Sequence, residues 1–408
     1  MCSDGPANST DEAYYFTVTR GPRADSPLLI YFQGGGACWS AETCAITEVY
    51  QATAAAAKEK TSTKGFFGEP GNEGEVNAFD KYTIVFVPYC TGDLHVGSEV
   101  VDYGNGLVVH HAGAANARSV LEWTYANFPE SDQLPQVAVS GCSAGALGSH
   151  IWVDAIAEHY RSTPVVYLGD GYVATDNPNR DFHHGWGELP HEVHEDVRDA
   201  WFVEPNQAMP LVLKHNPIVR FGYTLSQGDQ TQRTFFFFQT GLSPSADFYS
   251  LLMFETLETL SCANANMAVF LANDTNHCHL PRNNVWSELD GGQSIADWAE
   301  SFLNDDEATP SSVCGVQVDN DICDASFYAA CRHGVFRSRT SASSAPSSAD
   351  SAPVTINKQS WAVPVVAMLA SLLAVALGLL IFLVLFRKPA APAVAHAPLT
   401  ERELTAIN

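Results

Sequence analysis

The chain has 408 residues, 46% of them hydrophobic and 16% charged, which is the composition of a packed globule and not of a disordered chain. Its formal net charge of -25 would repel a polyanion, so nucleic acid is excluded as a partner. This length predicts one large α/β domain or two to three smaller ones.

Met1 to Gly5 carries neither a basic stretch nor an apolar run, so no signal peptide is visible there. Tyr14–Thr19 and Pro27–Gln33 read as strands. The second is nearly all apolar, as a strand buried on both faces is, and Gly34-Gly35-Gly36 ends it. Ala41–Lys58 is alanine-rich and predicts a helix, and Lys64–Asp80 a glycine-rich loop. Tyr82–Tyr89 reads as another buried strand, followed by a loop over Cys90–Gly106. Ala112–Phe128 predicts a helix that Pro129 closes. The β-branched run from Val137 then leads through Ser140-Gly141-Cys142-Ser143-Ala144-Gly145 into a helix over Ala146–Tyr160.

Downstream, Pro164–Leu168 is a strand ending at Gly169-Asp170-Gly171. Asp176–Asn206 is rich in His, Trp and acids and reads as an insertion or lid. Its histidines at 183, 184, 191 and 194 lack a Cys or acid cluster at fixed spacing, so no metal is expected. Ile218–Leu225 is a strand followed by Ser226-Gln227-Gly228-Asp229. Asp247–Cys262 is helical, and the strand Met267–Leu271 leads into Asn273-Asp274-Thr275-Asn276-His277-Cys278-His279. Strands alternating with helices predict an α/β fold: a hydrolase-like, mostly parallel sheet with helices on both faces.

The C-terminal part has a different composition. Residues 336–358 are a Ser/Ala/Pro-rich stalk, and residues 359–386 contain no charge. As a helix, Trp361–Phe386 would rise about 39 Å, enough to cross a bilayer with some tilt. Arg387-Lys388 places the short tail, 387–408, on the cytoplasmic side, although Arg337, Arg339 and Lys358 lie on the other flank. The expected organisation is therefore a catalytic domain over 1–335 outside the cytoplasm, a stalk, one transmembrane helix and a tail.

Ten cysteines fit no zinc spacing and point to disulfides in an oxidising compartment. Cys142, beside Ser143, is expected to be buried and unpaired. Sequons at Asn8 and Asn273 agree with glycosylation outside the cytoplasm.

The chemistry centres on Gly141-Cys142-Ser143-Ala144-Gly145. A glycine-flanked serine between a strand and a helix is the context of a nucleophile elbow. The turn pushes the serine hydroxyl out at the end of the strand. The Ala144 amide and the helix N-terminus then face a developing oxyanion. A serine alcohol needs a base and an acid to orient that base. Asp229 and Asp170 both sit on loops after the elbow strand, and Asp229 is preferred for its position in the order Ser, Asp, His. His277, with His279 as alternative, supplies the base from the loop one strand further. These loops leave the carboxyl edge of a parallel sheet, where ligands bind. Gly34-Gly35-Gly36 can bring backbone donors to the same oxyanion.

Tyr31-Phe32-Gln33-Gly34-Gly35-Gly36-Ala37-Cys38-Trp39, Val87-Pro88-Tyr89-Cys90-Thr91-Gly92-Asp93, Ser140–Gly145 and His277-Cys278 occur in that order over about residues 14–310. Together they resemble the pectin acetylesterase/Notum family of carboxylesterases. The resemblance implies an α/β-hydrolase fold, a Ser143-Asp229-His277 triad, oxyanion donors at Gly35, Gly36 and Ala144, and Trp39 at the pocket mouth. It implies no metal or cofactor, and an O-acyl ester on a polysaccharide or a protein as substrate. The stalk and the apolar span depart from a secreted form. A catalytically inactive cell-surface binding protein, or a lipase or peptidase, could be built on the same scaffold.

Overall fold

The computed structural model describes residues 2, 14–46, 49–50, 52, 65–68, 77–130, 134–175, 184–264, 267–286, 289–290, 293–304, 311–313 and 316–318. In chain order the elements are β1 (Thr17–Thr19), β2 (Leu28–Phe32), α1 (Ala41–Cys44), β3 (Thr83–Val87), β4 (Glu99–Asp102), β5 (Val108–His111), α2 (Gly113–Asn127), β6 (Val137–Cys142), α3 (Ala144–His159), β7 (Val165–Asp170), α4 (Glu195–Val203), α5 (Pro205–His215), β8 (Arg220–Ser226), α6 (Gln230–Thr240), α7 (Ala246–Ala263), β9 (Met267–Ala272), β10 (Leu289–Asp290), β11 (Gln293–Ser294), α8 (Ile295–Asn304), β12 (Ser311–Val313) and β13 (Val316–Val318).

The main sheet runs β1-β3-β2-β6-β7-β8-β9-β12-β13. Pairing is parallel from β3 through β12, and only the outermost pairs, β1 with β3 and β12 with β13, are antiparallel. Every residue of β2, β7 and β9 is buried, which is why these strands read as continuous apolar runs and not as alternating ones. Leu28, Ile30 and Phe32 join a core under α2, α3, α5 and α7, while Leu29 and Tyr31 join a second core covered by α8. The chain goes from β2 to β3 on one side, then crosses to β6 on the other. Strand order thus reverses between β2 and β6, and a crevice opens at their carboxyl ends.

Several expected elements differ. Helix α1 stops at Cys44 instead of continuing to Lys58; residues 53–64 lie outside the described set. Ser40 and Thr43 cap its start, Cys44 is tied to Cys38 by a disulfide, and Tyr50 returns to bridge with Gly36. That return leaves no room for a longer straight helix. The expected loop over Cys90–Gly106 contains β4, which forms a hairpin with β5. In the described part of the expected lid the aromatics Trp186 and Trp201 are core, each 1% exposed, and Trp186 donates its indole N–H to the Cys38 carbonyl at 2.8 Å. Among the described residues no helix is long and apolar enough to cross a membrane. The stalk, the apolar span 359–386 and the tail lie outside those residues.

His95, His111, His150 and His279 are all buried in this fold. His150 on α3 is fully buried; its Nε2 donates to the Met209 carbonyl at 3.1 Å, and its Nδ1 lies 3.1 Å from the Tyr223 hydroxyl. Burial lowers its pKa to about 4 from the ordinary 6.5, against the smaller opposing effect of the Met209 bond. The unfolded imidazole takes a proton below pH 6.5, but the folded one refuses it until about pH 4. Unfolding therefore takes up a proton in this window, and stability falls as pH drops through it. Replacing His150 by Gln should remove up to about 1.4 kcal/mol per pH unit of this dependence. Denaturant melts of both proteins at several pH values between 4 and 6.5 check the difference in slope.

Candidate active site

The elbow is the tightest point of the sheet. Ser143 follows β6 directly and precedes α3, with φ 56° and ψ -120°. Such a backbone costs an L-residue about 1–3 kcal/mol and persists only where its surroundings enforce it. Here the Ser143 amide donates to the Asp170 carbonyl at 2.8 Å, and the amides of Ala146 and Leu147 donate back to the Ser143 carbonyl at 2.9 and 3.2 Å. A Cβ on Gly145 would run into the Phe32 carbonyl, and one on Gly141 into the Gly145 carbonyl, so both glycines are needed for α3 to start this close to the sheet. Ser143 occupies the helix N-cap position, yet its hydroxyl makes no capping bond.

His277, the base expected from sequence, lies on the loop after β9. His277 Nδ1 lies 2.7 Å from Asp229 Oδ2, and the two side chains are 13% and 0% exposed. Asp229 caps α6 by accepting the Gln232 amide on Oδ1 at 2.9 Å, which orients its second oxygen toward the imidazole. The loops that carry the two residues are joined along the backbone. Gln227, Gly228 and Gln230 donate to the carbonyls of Ala272, Asp274 and Thr275 at 3.0, 2.9 and 3.2 Å. His277 Nε2 is buried, and among the described residues no group bonds to it.

Asp170 and His279, the two alternatives from sequence, lie elsewhere. Asp170 ends β7 and is fully buried. It accepts from the Thr224 hydroxyl at 2.8 Å and from the amides of His279 and Leu280 at 3.0 and 2.8 Å. Burial raises its pKa, and the nearby His279 and these hydrogen bonds oppose that rise. His279 is fully buried, with Nε2 2.9 Å from the Ser226 hydroxyl. Asp229, not Asp170, meets the His277 ring.

Gly36, Trp39, Ser143, Ala144 and His277 line one pocket, with about 570 Å³ of empty space that opens to solvent. Asp229 sits beneath it against His277. Gly35 is not among the lining residues; Ala37 is. Gly36 has φ 80°, and a Cβ there would collide with the Val49 carbonyl, so the loop holds its backbone bare at the pocket wall. Leu94, Tyr172, Val173, Phe235 and Phe236 make the remaining wall mostly apolar. The rings of Trp39 and Phe235 lie 6.5 Å apart. Among the described residues, the grouping of metal-type ligands is Cys38, Cys44 and His111, where both cysteines are bound in a disulfide. Both nitrogens of His111 are engaged, by the Thr91 carbonyl and the Tyr103 hydroxyl.

Cys142 is not unpaired. It forms a disulfide with Cys278, with Cα atoms 5.7 Å apart, so the residue before Ser143 is bonded to the residue after His277. The two are 136 residues apart in sequence, and only the folded sheet shows that they meet. Their adjacency to the serine and the histidine was the available signal. Gln232 and Tyr249 were also missed. The Gln232 amide donates to the Gly171 carbonyl at 2.8 Å and its carbonyl accepts from the Tyr249 hydroxyl at 2.7 Å, which fixes the start of α6.

Residues 1–195 match the model of the pectinacetylesterase family. The chain is similar to the pectin acetylesterase/Notum family. It is 26% identical over 156 residues to a palmitoleoyl-protein carboxylesterase Notum from Schmidtea mediterranea, covering 38% of this chain and 28% of that protein. The chain thus matches less than a third of the length of that curated Notum relative. Two crystal forms of the Wnt deacylase Notum from Drosophila share the fold at 15% and 14% identity, with TM-scores of 0.54 and 0.53. Each alignment covers 74% of this chain, and 89% and 88% of the respective Notum chain. The α/β sheet with its mostly parallel strands is therefore the Notum-like hydrolase fold.

The Cys142–Cys278 bond closes a long loop, and in the chain-entropy account a loop of this size is worth up to about 5 kcal/mol. The double variant Cys142→Ala/Cys278→Ala should show a lower Tm. It should also react more slowly at Ser143 with a fluorophosphonate probe, because the covalent tie between the serine and histidine loops is gone. Calorimetry and the probe's labelling rate measure the two effects.

Proposed function

We propose that the chain is a serine carboxylesterase that removes an O-linked acyl group, and that Ser143, His277 and Asp229 carry the reaction. The observation that supports this most directly is the buried Asp229 carboxylate, 2.7 Å from His277 Nδ1, with His277 Nε2 unbonded in a pocket it shares with Ser143. His277 Nε2 takes the proton of the Ser143 hydroxyl as the oxygen attacks the ester carbonyl. Asp229 holds the tautomer with the proton on Nδ1 and stabilises the imidazolium that forms. The amides of Ala144 and Gly36 donate to the tetrahedral oxyanion, aided by the N-terminus of α3. The C–O bond to the alcohol breaks as His277 returns the proton to it. A water deprotonated by His277 then attacks the acyl-enzyme. That step releases the carboxylic acid and restores Ser143.

The substrate is an acylated polysaccharide or an acylated protein. The apolar wall of Trp39, Leu94, Tyr172, Val173 and Phe235 favours the acyl side of the ester over a charged group. In this reading residues 1–335 form the catalytic domain outside the cytoplasm, 336–358 the stalk, 359–386 the membrane anchor and 387–408 a cytoplasmic tail.

The test uses the full-length chain in detergent with p-nitrophenyl esters. Ser143→Ala should lower kcat by at least about 10⁴-fold while the melting curve is unchanged. Undiminished turnover in that variant would end the assignment. With the acyl chain lengthened from acetyl to octanoyl, kcat/KM should rise by up to about fourfold per methylene that enters the apolar wall. A flat or falling series would confine the pocket to acetyl. Failure of the folded wild type to react with a fluorophosphonate would favour the non-catalytic binding protein.

A further inference from the structure

We propose that Asp170 is a positioning residue that sets the height of His277 above Ser143; this rests on the esterase reading of the same site. Asp170 lies at the end of β7, between the strand that leads to Ser143 and the strand that precedes Asp229. It touches both catalytic loops with different atoms. Its main-chain carbonyl receives the Ser143 amide at 2.8 Å. Its carboxylate receives the consecutive amides of His279 and Leu280 at 3.0 and 2.8 Å, and the Thr224 hydroxyl at 2.8 Å.

The His277 loop is shaped to make that grip possible. Cys278 has φ 58°, a left-handed backbone in a residue with a side chain. That single reversal sends the amides of 279 and 280 down toward the carboxylate, while His277, just before it, stays up at the pocket. Two adjacent amides on one carboxylate form a compact anion-binding turn. Gly171 makes the approach possible, since a Cβ there would lie 2.8 Å from the Cys278 nitrogen. Burial makes each of these bonds hard to replace with water, because the carboxylate is fully enclosed.

Asparagine at 170 keeps the shape but presents an N–H₂ where one of the amides or the hydroxyl must donate. One donor then faces another, and the loop must lift. A displacement of about 1 Å at a catalytic group costs about 100-fold in rate. Asp170 is not among the residues that line the pocket, so the loss should fall on kcat alone.

The experiment compares full-length wild type, Asp170→Asn and Thr224→Val. Activity is normalised to the fraction of Ser143 that a fluorophosphonate can titrate, and amide hydrogen exchange is followed across the chain. The expected result for Asp170→Asn is a kcat about 100-fold lower with KM within about twofold. Faster exchange should be confined to the segment around residues 277–282. Thr224→Val removes the one side-chain donor of the three that serve the carboxylate and should lose about three- to fivefold in kcat, so it reads the effect even if the first variant folds poorly. Normalised kcat within threefold of wild type in Asp170→Asn would overturn the proposal. A loss of protection spread over the whole chain, with normalised kcat unchanged, would also overturn it as a purely structural effect. If the wild type showed no Ser143-dependent turnover while exchange at 277–282 still rose locally, the clamp would stand and the esterase reading would fall.

Discussion

The left-handed backbone at Ser143 is the constraint on which the rest of the site depends. A φ of 56° in a residue with a side chain is unfavourable by itself and is held here from three sides. Strand β6 delivers the chain to the turn in parallel register between β2 and β7. The Asp170 carbonyl takes the Ser143 amide. Helix α3 packs so close to β2 that no side chain fits at Gly145. The result is a hydroxyl that neither caps its helix nor folds back into the sheet.

The other candidate groups gather at one rim because a parallel sheet ends all its strands in the same direction. The glycine turn follows β2, Asp170 ends β7, Asp229 follows β8 and His277 follows β9. Adjacent strands then bring groups far apart in sequence to one rim. Backbone bonds between the 227–230 and 272–275 segments align Asp229 with His277, and the Cys142–Cys278 disulfide ties the histidine loop back to the elbow. These ties are redundant in a useful sense. The His277 imidazole is held by a carboxylate, by the backbone turn that follows it and by a covalent bond next to it.

The parts of the fold that were legible in the sequence are those encoded by local pattern. The apolar runs at Leu28–Phe32 and Met267–Ala272 read as buried strands because burial on both faces leaves no alternation. The helix at Gly113–Asn127 was bounded closely because Pro129 stops it. The misses share one cause, which is contact over long separations. Alanine content predicted a helix through Lys58, but the Cys38–Cys44 bond and the return of Tyr50 to Gly36 end it at Cys44. Val108–His111 pairs with Glu99–Asp102 in a hairpin that a glycine-rich composition concealed. Trp186 and Trp201, which the sequence left open between a lid and the core, both fill the core.

The sequence by itself determined the order of the chemistry: a glycine turn, a glycine-flanked serine after a strand, an aspartate two strands later and a histidine one strand beyond that. Order along a chain survives in composition and spacing, because each loop carries its own turn residues. Only the tertiary structure showed that Asp229, and not Asp170, meets the His277 ring, and only it paired Cys142 with Cys278. Both aspartates follow strands and both are enclosed. What separates them is which way each carboxylate faces, one to an imidazole and one to two backbone amides, and that direction is fixed by the neighbouring strands and helices, not by the residues on either side.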